Sequence, residues 1–120
     1  MKILIVDDDE LMLKAISHSL GEEGYEVILA QDVSNALDIL ENQKIDLIVS
    51  DIMMPNISGL GLLSMLKEYY FDRIPVILIS SLDQGGTVAN SLGLSATYFL
   101  SKPLDVNELL TCVKNVFNKV

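Results

Sequence analysis

A single cysteine in 120 residues excludes an internal disulfide and is compatible with a reducing cytoplasm. No apolar stretch approaches the ~20 residues of a membrane-spanning helix, so the chain reads as soluble, with no membrane partner. The first apolar run opens at Ile3, directly behind Met1-Lys2, which leaves no room for a signal peptide. Basic residues are scarce: eight Lys and Arg against seventeen Asp and Glu give a net charge of −9. That sign repels phosphate backbones and anionic membrane surfaces, which argues against direct nucleic-acid binding by this domain. Linkers, repeats and low-complexity stretches are missing too. The one histidine, His18, falls within the first predicted helix, away from the strand ends, and reads as a surface group.

What is present is a set of short, strongly apolar runs separated by helical patterns. Half of the residues are apolar and the mean hydropathy is +0.40. Such values suit central strands covered on both faces. The length fits one domain spanning residues 1–120. Strand-like and helix-like segments alternate five times, which predicts a doubly wound parallel α/β sheet with helices on both faces. Leu13, Ile16 and Leu20 keep helical spacing in the first helix, and Gly21 and Gly24 are expected to end it. Glu26 to Ala30 reads as an edge strand. Asp32 is a candidate N-cap for a helix burying Ala36, Leu37 and Leu40. The third strand is expected from about Asp46 to Ser50, and the third helix turns Gly59, Leu62, Leu63 and Leu66 inward. Gly85, Gly86, Thr87, Val88, Asn90, Ser91 and Gly93 predict a short, marginally stable fourth helix. The last helix opens at Asp105 with Glu108 three residues on, and its stripe is Val106, Leu109, Leu110, Val113 and Phe117. Cys112 within it reads as a small packing residue, and Met12 and Met65 as ordinary helix packing.

The polar residues that stop the strands carry the chemistry. Ile3-Leu4-Ile5-Val6 ends at Asp7-Asp8-Asp9, and Leu47-Ile48-Val49-Ser50 ends at Asp51. Val76 to Ile79 ends at Ser80, and Tyr98 to Ser101 ends at Lys102-Pro103. In a parallel sheet all of these gather at the carboxyl edge, where open α/β sheets bind ligands. Acids, a hydroxyl and a lone ammonium together suit a divalent cation and a phosphoryl group. Attack by a carboxylate on phosphorus brings negative groups together, so a cation and a lysine must offset the charge. Asp46 stands at the opposite edge and is excluded from the site as a structural or surface acid.

The set Asp7-Asp8-Asp9, Asp51-x-x-Met54-Pro55-x-x-x-Gly59, Ser80-Ser81 and Lys102-Pro103 resembles the receiver domain of bacterial two-component response regulators. The resemblance covers the whole chain. It implies a flavodoxin-like five-stranded parallel sheet of order 2-1-3-4-5 flanked by five helices. It further implies that Asp51 is the phospho-acceptor and that Mg2+ is held by Asp7, Asp8, the Asp51 side chain and the backbone carbonyl of Met53. Ser80 would close on the phosphoryl group, Lys102 would be its counter-ion, and Phe99 would be the switch aromatic. Asp9 falls outside the family's acidic pair and is expected to be exposed. The implied role is a cytoplasmic signalling switch rather than an enzyme, beyond Mg2+-dependent self-phosphorylation and autodephosphorylation at the aspartate. Its partners would be a sensor histidine kinase or phosphotransfer protein, and a downstream output or a second copy met through the fourth helix, fifth strand and last helix.

Some positions depart from the family. Phe99 stands where tyrosine is commoner, Ser95 replaces a glycine, and Thr97-Tyr98 replaces an acidic pair. Met53 and Leu82 either pack together or exclude a hydrolytic water from the phosphoryl group. A rival class is the Mg2+-dependent phosphatase of haloacid-dehalogenase type, which requires an acid two residues after its nucleophile; here that residue is Met53. A docking-only pseudo-receiver is the third alternative, and the intact acids with Lys102 argue against it.

Overall fold

A computed structural model describes residues 1–51, 74–80, 98–101 and 104–118, with Ser80, Phe99 and Ser101 described by backbone alone. The elements are β1 (Lys2–Val6), α1 (Glu10–Glu22), β2 (Glu26–Ala30), α2 (Val33–Asn42), β3 (Leu47–Asp51), β4 (Val76–Ser80), β5 (Tyr98–Ser101) and a C-terminal helix (Val106–Asn118). All five strands join one sheet in the order β2-β1-β3-β4-β5, and every pairing is parallel. The sheet is parallel, as the alternation predicts, and its order is the flavodoxin-like one that the family resemblance implies. The expected third and fourth helices, with Gly59, Met65, Leu82 and Ser95, lie outside the described residues.

Strand side chains alternate between faces, and the chain uses both faces for burial. Leu4, Val6, Ile48 and Leu78 pack on the α2 side with Val33, Ala36 and Leu40. Ile3, Ile5, Leu47, Val49, Ile77 and Ile79 pack on the other side against α1 and the C-terminal helix. Leu13, Ile16 and Leu20 form the buried stripe of α1 as expected. In α2 the first-turn Val33 is buried while Leu37 is only partly so. Cys112 joins Leu109 and Val113 in the core, Leu110 and Phe117 pack at its margin, and Val106 is only partly buried. Phe117 reaches Tyr25, with ring centroids 5.5 Å apart.

The helix ends follow side-chain chemistry. Asp32 caps α2, accepting from the Asn35 amide at 2.7 Å. Asp105 accepts from the Asn107 and Glu108 amides at 2.9 and 3.4 Å, so it opens the C-terminal helix as predicted. The end of α1 corrects the sequence expectation. Gly21 lies inside the helix, and Gly24 alone ends it, at a φ of +91°. The Tyr25 amide returns to the Leu20 carbonyl and the Gly24 amide to that of Gly21, the paired closure of a Schellman motif.

β3 also begins one residue later than expected and ends on Asp51. Asp46 remains outside the strand yet bonds reciprocally with Lys2. Its amide donates to the Lys2 carbonyl at 2.8 Å, and its Oδ2 accepts from the Lys2 amide at 2.8 Å. Asp46 is thus the structural acid of the amino edge. His18 is exposed and pairs with Glu22 at 3.1 Å, as a surface group does.

Candidate metal and phosphoryl site

Register decides which polar residues meet. Val6 pairs with Ser50, so Asp7 and Asp51, each one step further along, stand side by side on adjacent strands. Asp51 pairs with Ile79, which sets the Ser80 backbone one step beyond, and Ser80 pairs with Ser101, the residue before Lys102. The described strand ends therefore gather at one carboxyl edge, as the strand-end pattern predicts, in the order that the family resemblance implies. Lys102, Met53 and the side chains of Ser80 and Phe99 lie outside the described residues.

Three carboxylates converge. Asp7, Asp8 and Asp51 each offer an oxygen, and these atoms all lie within 4.8 Å of one another. Asp7 is 1% exposed and Asp51 3%, while Asp8 is exposed to solvent. Among the described residues these three form the one group of acids, histidines or cysteines close enough to share an ion. Opposite ligands of Mg2+ at 2.0–2.1 Å stand roughly 4.2 Å apart, so the spread fits one such ion after small side-chain adjustments. An all-oxygen, all-anionic donor set suits a hard cation rather than a thiophilic metal.

The chain braces these acids through its backbone. The Asp7 amide donates to the Ala30 carbonyl at 3.0 Å, which ties the end of β1 to β2. The Asp9 amide donates to Asp7 Oδ1 at 2.9 Å. Asp9 is exposed, as expected, but it has a structural role that the sequence reading did not assign: it is the N-cap of α1. Its Oδ1 accepts from the Leu11 and Met12 amides at 3.0 and 3.3 Å. Glu10 in the first turn accepts from Gln31 Nε2 at 3.1 Å, linking α1 to the loop after β2. Beneath Asp51, the buried Ser50 hydroxyl donates to the Asp51 carbonyl at 3.1 Å. Cys112 takes no part. Burial, aided by the Glu108 charge, pushes its thiol above the ordinary range.

Residues 3–114 match the response regulator receiver domain family. The chain belongs to it. Among curated proteins it is 32% identical to the transcriptional regulatory protein CrdR of Helicobacter pylori, over 98% of this chain and 55% of that one. It is 36% identical to the nisin biosynthesis regulatory protein NisR of Lactococcus lactis, over 94% of this chain and 48% of that one. The receiver thus spans about half the length of these relatives. The solved receiver domain of Francisella response regulator 1452 superposes with a TM-score of 0.89 at 30% identity, covering 98% and 97% of the two chains. A two-component receiver is therefore the fold and the family, and the acidic cluster lies where that fold gathers its strand ends. No helix among the described residues is long and apolar enough to cross a membrane.

Proposed function

We propose that this receiver takes a phosphoryl group on Asp51 in a Mg2+-dependent reaction, and that the modification controls a downstream output. The observation that carries the reading is the convergence of Asp7, Asp8 and Asp51 within 4.8 Å, with Asp51 buried at the end of the central strand β3. Asp7, Asp8, the Asp51 side chain and the Met53 backbone carbonyl would hold the ion. When bound, it supplies positive charge that offsets the approach of a phosphate to this acidic edge. An Asp51 oxygen attacks phosphorus, the bond to the donor breaks, and a phosphohistidine donor leaves as imidazole with the bonding electron pair. Lys102 neutralises charge on the transferred group, and the Ser80 hydroxyl donates to one of its oxygens.

The donor is a sensor histidine kinase or phosphotransfer protein, met in the cytoplasm. Leu11, 78% exposed in the first turn of α1 next to Asp8 and Asp9, offers such a partner an apolar contact beside the acids. Phosphorylation draws Ser80 toward Asp51, Phe99 moves inward, and the face of the fourth predicted helix, β5 and the C-terminal helix changes partner, a second copy included. Residues 1–120 act as one receiver unit in this reading. The domain itself is a switch whose own chemistry is confined to gaining and losing the aspartyl phosphate.

The test is intact-mass measurement after incubation with acetyl phosphate and Mg2+. Wild type gains one phosphoryl mass, and Asp51→Asn gains none. Equal labelling of Asp51→Asn would overturn the assignment.

A further inference from the structure

The acids Asp7, Asp8 and Asp9 follow one another directly, yet their surroundings differ. Asp9 touches the site with its backbone and the helix with its side chain. Its amide holds Asp7 Oδ1 at 2.9 Å, while its own Oδ1 accepts from the amides of Leu11 and Met12. Its φ and ψ of −90° and 107° are those of an extended N-cap residue, and its carbonyl accepts from the Leu13 amide at 3.0 Å. The peptide that carries the Asp9 amide is therefore fixed by the cap, and the cap fixes where that amide points.

We infer that Asp9 is a positioning residue for the cation site: by capping α1 it aims its own amide at Asp7 and so holds the Asp7 carboxylate in its ligating orientation. Carboxylates that bind ions are commonly oriented by a hydrogen bond from the next layer of residues, and loss of such a partner weakens binding. The bond to Asp7 comes from the backbone, so it survives substitution chemically. What substitution changes is the amide's direction. An uncapped first turn frays and lets the Asp8–Asp9 peptide rotate, which weakens one of the bonds that orient the Asp7 carboxylate toward Asp8 and Asp51.

Charge and capping can be separated. Asp9→Asn and Asp9→Ala remove the same negative charge, but asparagine caps helices as well as aspartate and alanine does not. Calorimetric titration of the full chain with Mg2+ alone should give Asp9→Ala an affinity about threefold to tenfold below Asp9→Asn, less than the ~10–100-fold of a partner removed outright. The Asp9 amide resonance should shift on adding Mg2+ in wild type and in Asp9→Asn, and should move away from its wild-type position in Asp9→Ala before metal is added. If the alanine variant fails to fold, Asp9→Gln, which removes the same charge and is not a capping residue, takes its place as the uncapped variant with the same expectation. Equal affinities for the asparagine variant and the uncapped variant would overturn the inference. It rests on the proposed cation site, and the two fail differently. A wild type that binds no Mg2+ sinks the site itself, whereas a binding wild type with matched variants sinks the role of Asp9 alone.

Discussion

Replacing Asp8 by alanine should make the metal-free protein more stable, the reverse of the usual effect of truncating a side chain. Asp8 shares the carboxyl edge with Asp7 and Asp51, and the nearest oxygens of the three lie within 4.8 Å of one another. Two unit charges at such a separation repel by about 0.9 kcal/mol at the dielectric of water and by ~3.5 kcal/mol at an effective value of 20. Asp8 is the exposed member, so the lower figure applies to each of its two pairs. Asp8→Ala should therefore relieve about 1–2 kcal/mol. For a domain of this size that is a rise of about 5–10 °C in melting temperature.

Magnesium should reverse the ranking. An ion held at a hundred times its dissociation constant stabilises the native state by about 2.7 kcal/mol, and the wild type has the full carboxylate set to hold it. Differential scanning fluorimetry in EDTA and in Mg2+ gives both quantities. Asp8→Ala should melt higher than wild type in EDTA and shift less on adding metal. In 1 M NaCl, where the screening length falls to ~3 Å, the advantage in EDTA should shrink. A lower melting temperature for Asp8→Ala in EDTA would refute the repulsion argument. An undiminished Mg2+ shift would remove Asp8 from the ligand set.

The two glycines near the end of α1 should respond with opposite signs. Gly24→Ala forces a Cβ onto a residue at φ +91° and should cost about 1–2 kcal/mol, read as a lower urea midpoint. Gly21→Ala places its Cβ in open space within the helix and should add about 0.5–1 kcal/mol; a loss there would contradict the helical assignment. Asp32→Ala removes the cap bond to Asn35 and should cost about 1 kcal/mol, with Asp32→Asn close to wild type in the same urea series. Cys112 sets an alkaline limit, because burial raises its thiol in the folded state. Its contribution is complete below the ionisation range of an unfolded thiol. It is lost as pH climbs past that range, since the unfolded chain releases the proton first. Wild type should thus lose more stability than Cys112→Ala as pH rises above about 8.5, and parallel curves would refute it.

The fold was legible because its signals are local and redundant. The alternation of apolar runs with helical patterns implies parallel strands, whose polar ends then line up at one edge, and the observed register sets Asp7 beside Asp51. The alternation within Ile3-Leu4-Ile5-Val6 serves two cores at once, which a single-faced sheet could not do. What the pattern could not reveal lies in backbone direction and in long-range pairing. Asp46 resembles any acid before a strand. Its value comes from reciprocal bonds to Lys2, 44 residues away in sequence, and no window along the chain contains both partners. Gly21 and Gly24 look alike as helix stops, and only the positive φ of Gly24 separates them.

Asp7, Asp8 and Asp9 make the same point inside the site. As composition they are one acidic run, and the extra acid looks like surplus charge at a helix start. The chain changes there from the two-residue period of a strand to the 3.6-residue period of a helix, so successive side chains diverge. Asp7 stays buried at the sheet edge, Asp8 emerges to solvent above it, and Asp9 turns back onto the amides of α1. Three identical residues thereby acquire three environments from one backbone transition. A change in the third can reach the first through a single peptide group, which is why the comparison of Asp9→Asn with Asp9→Ala bears on the cation site rather than on the helix alone.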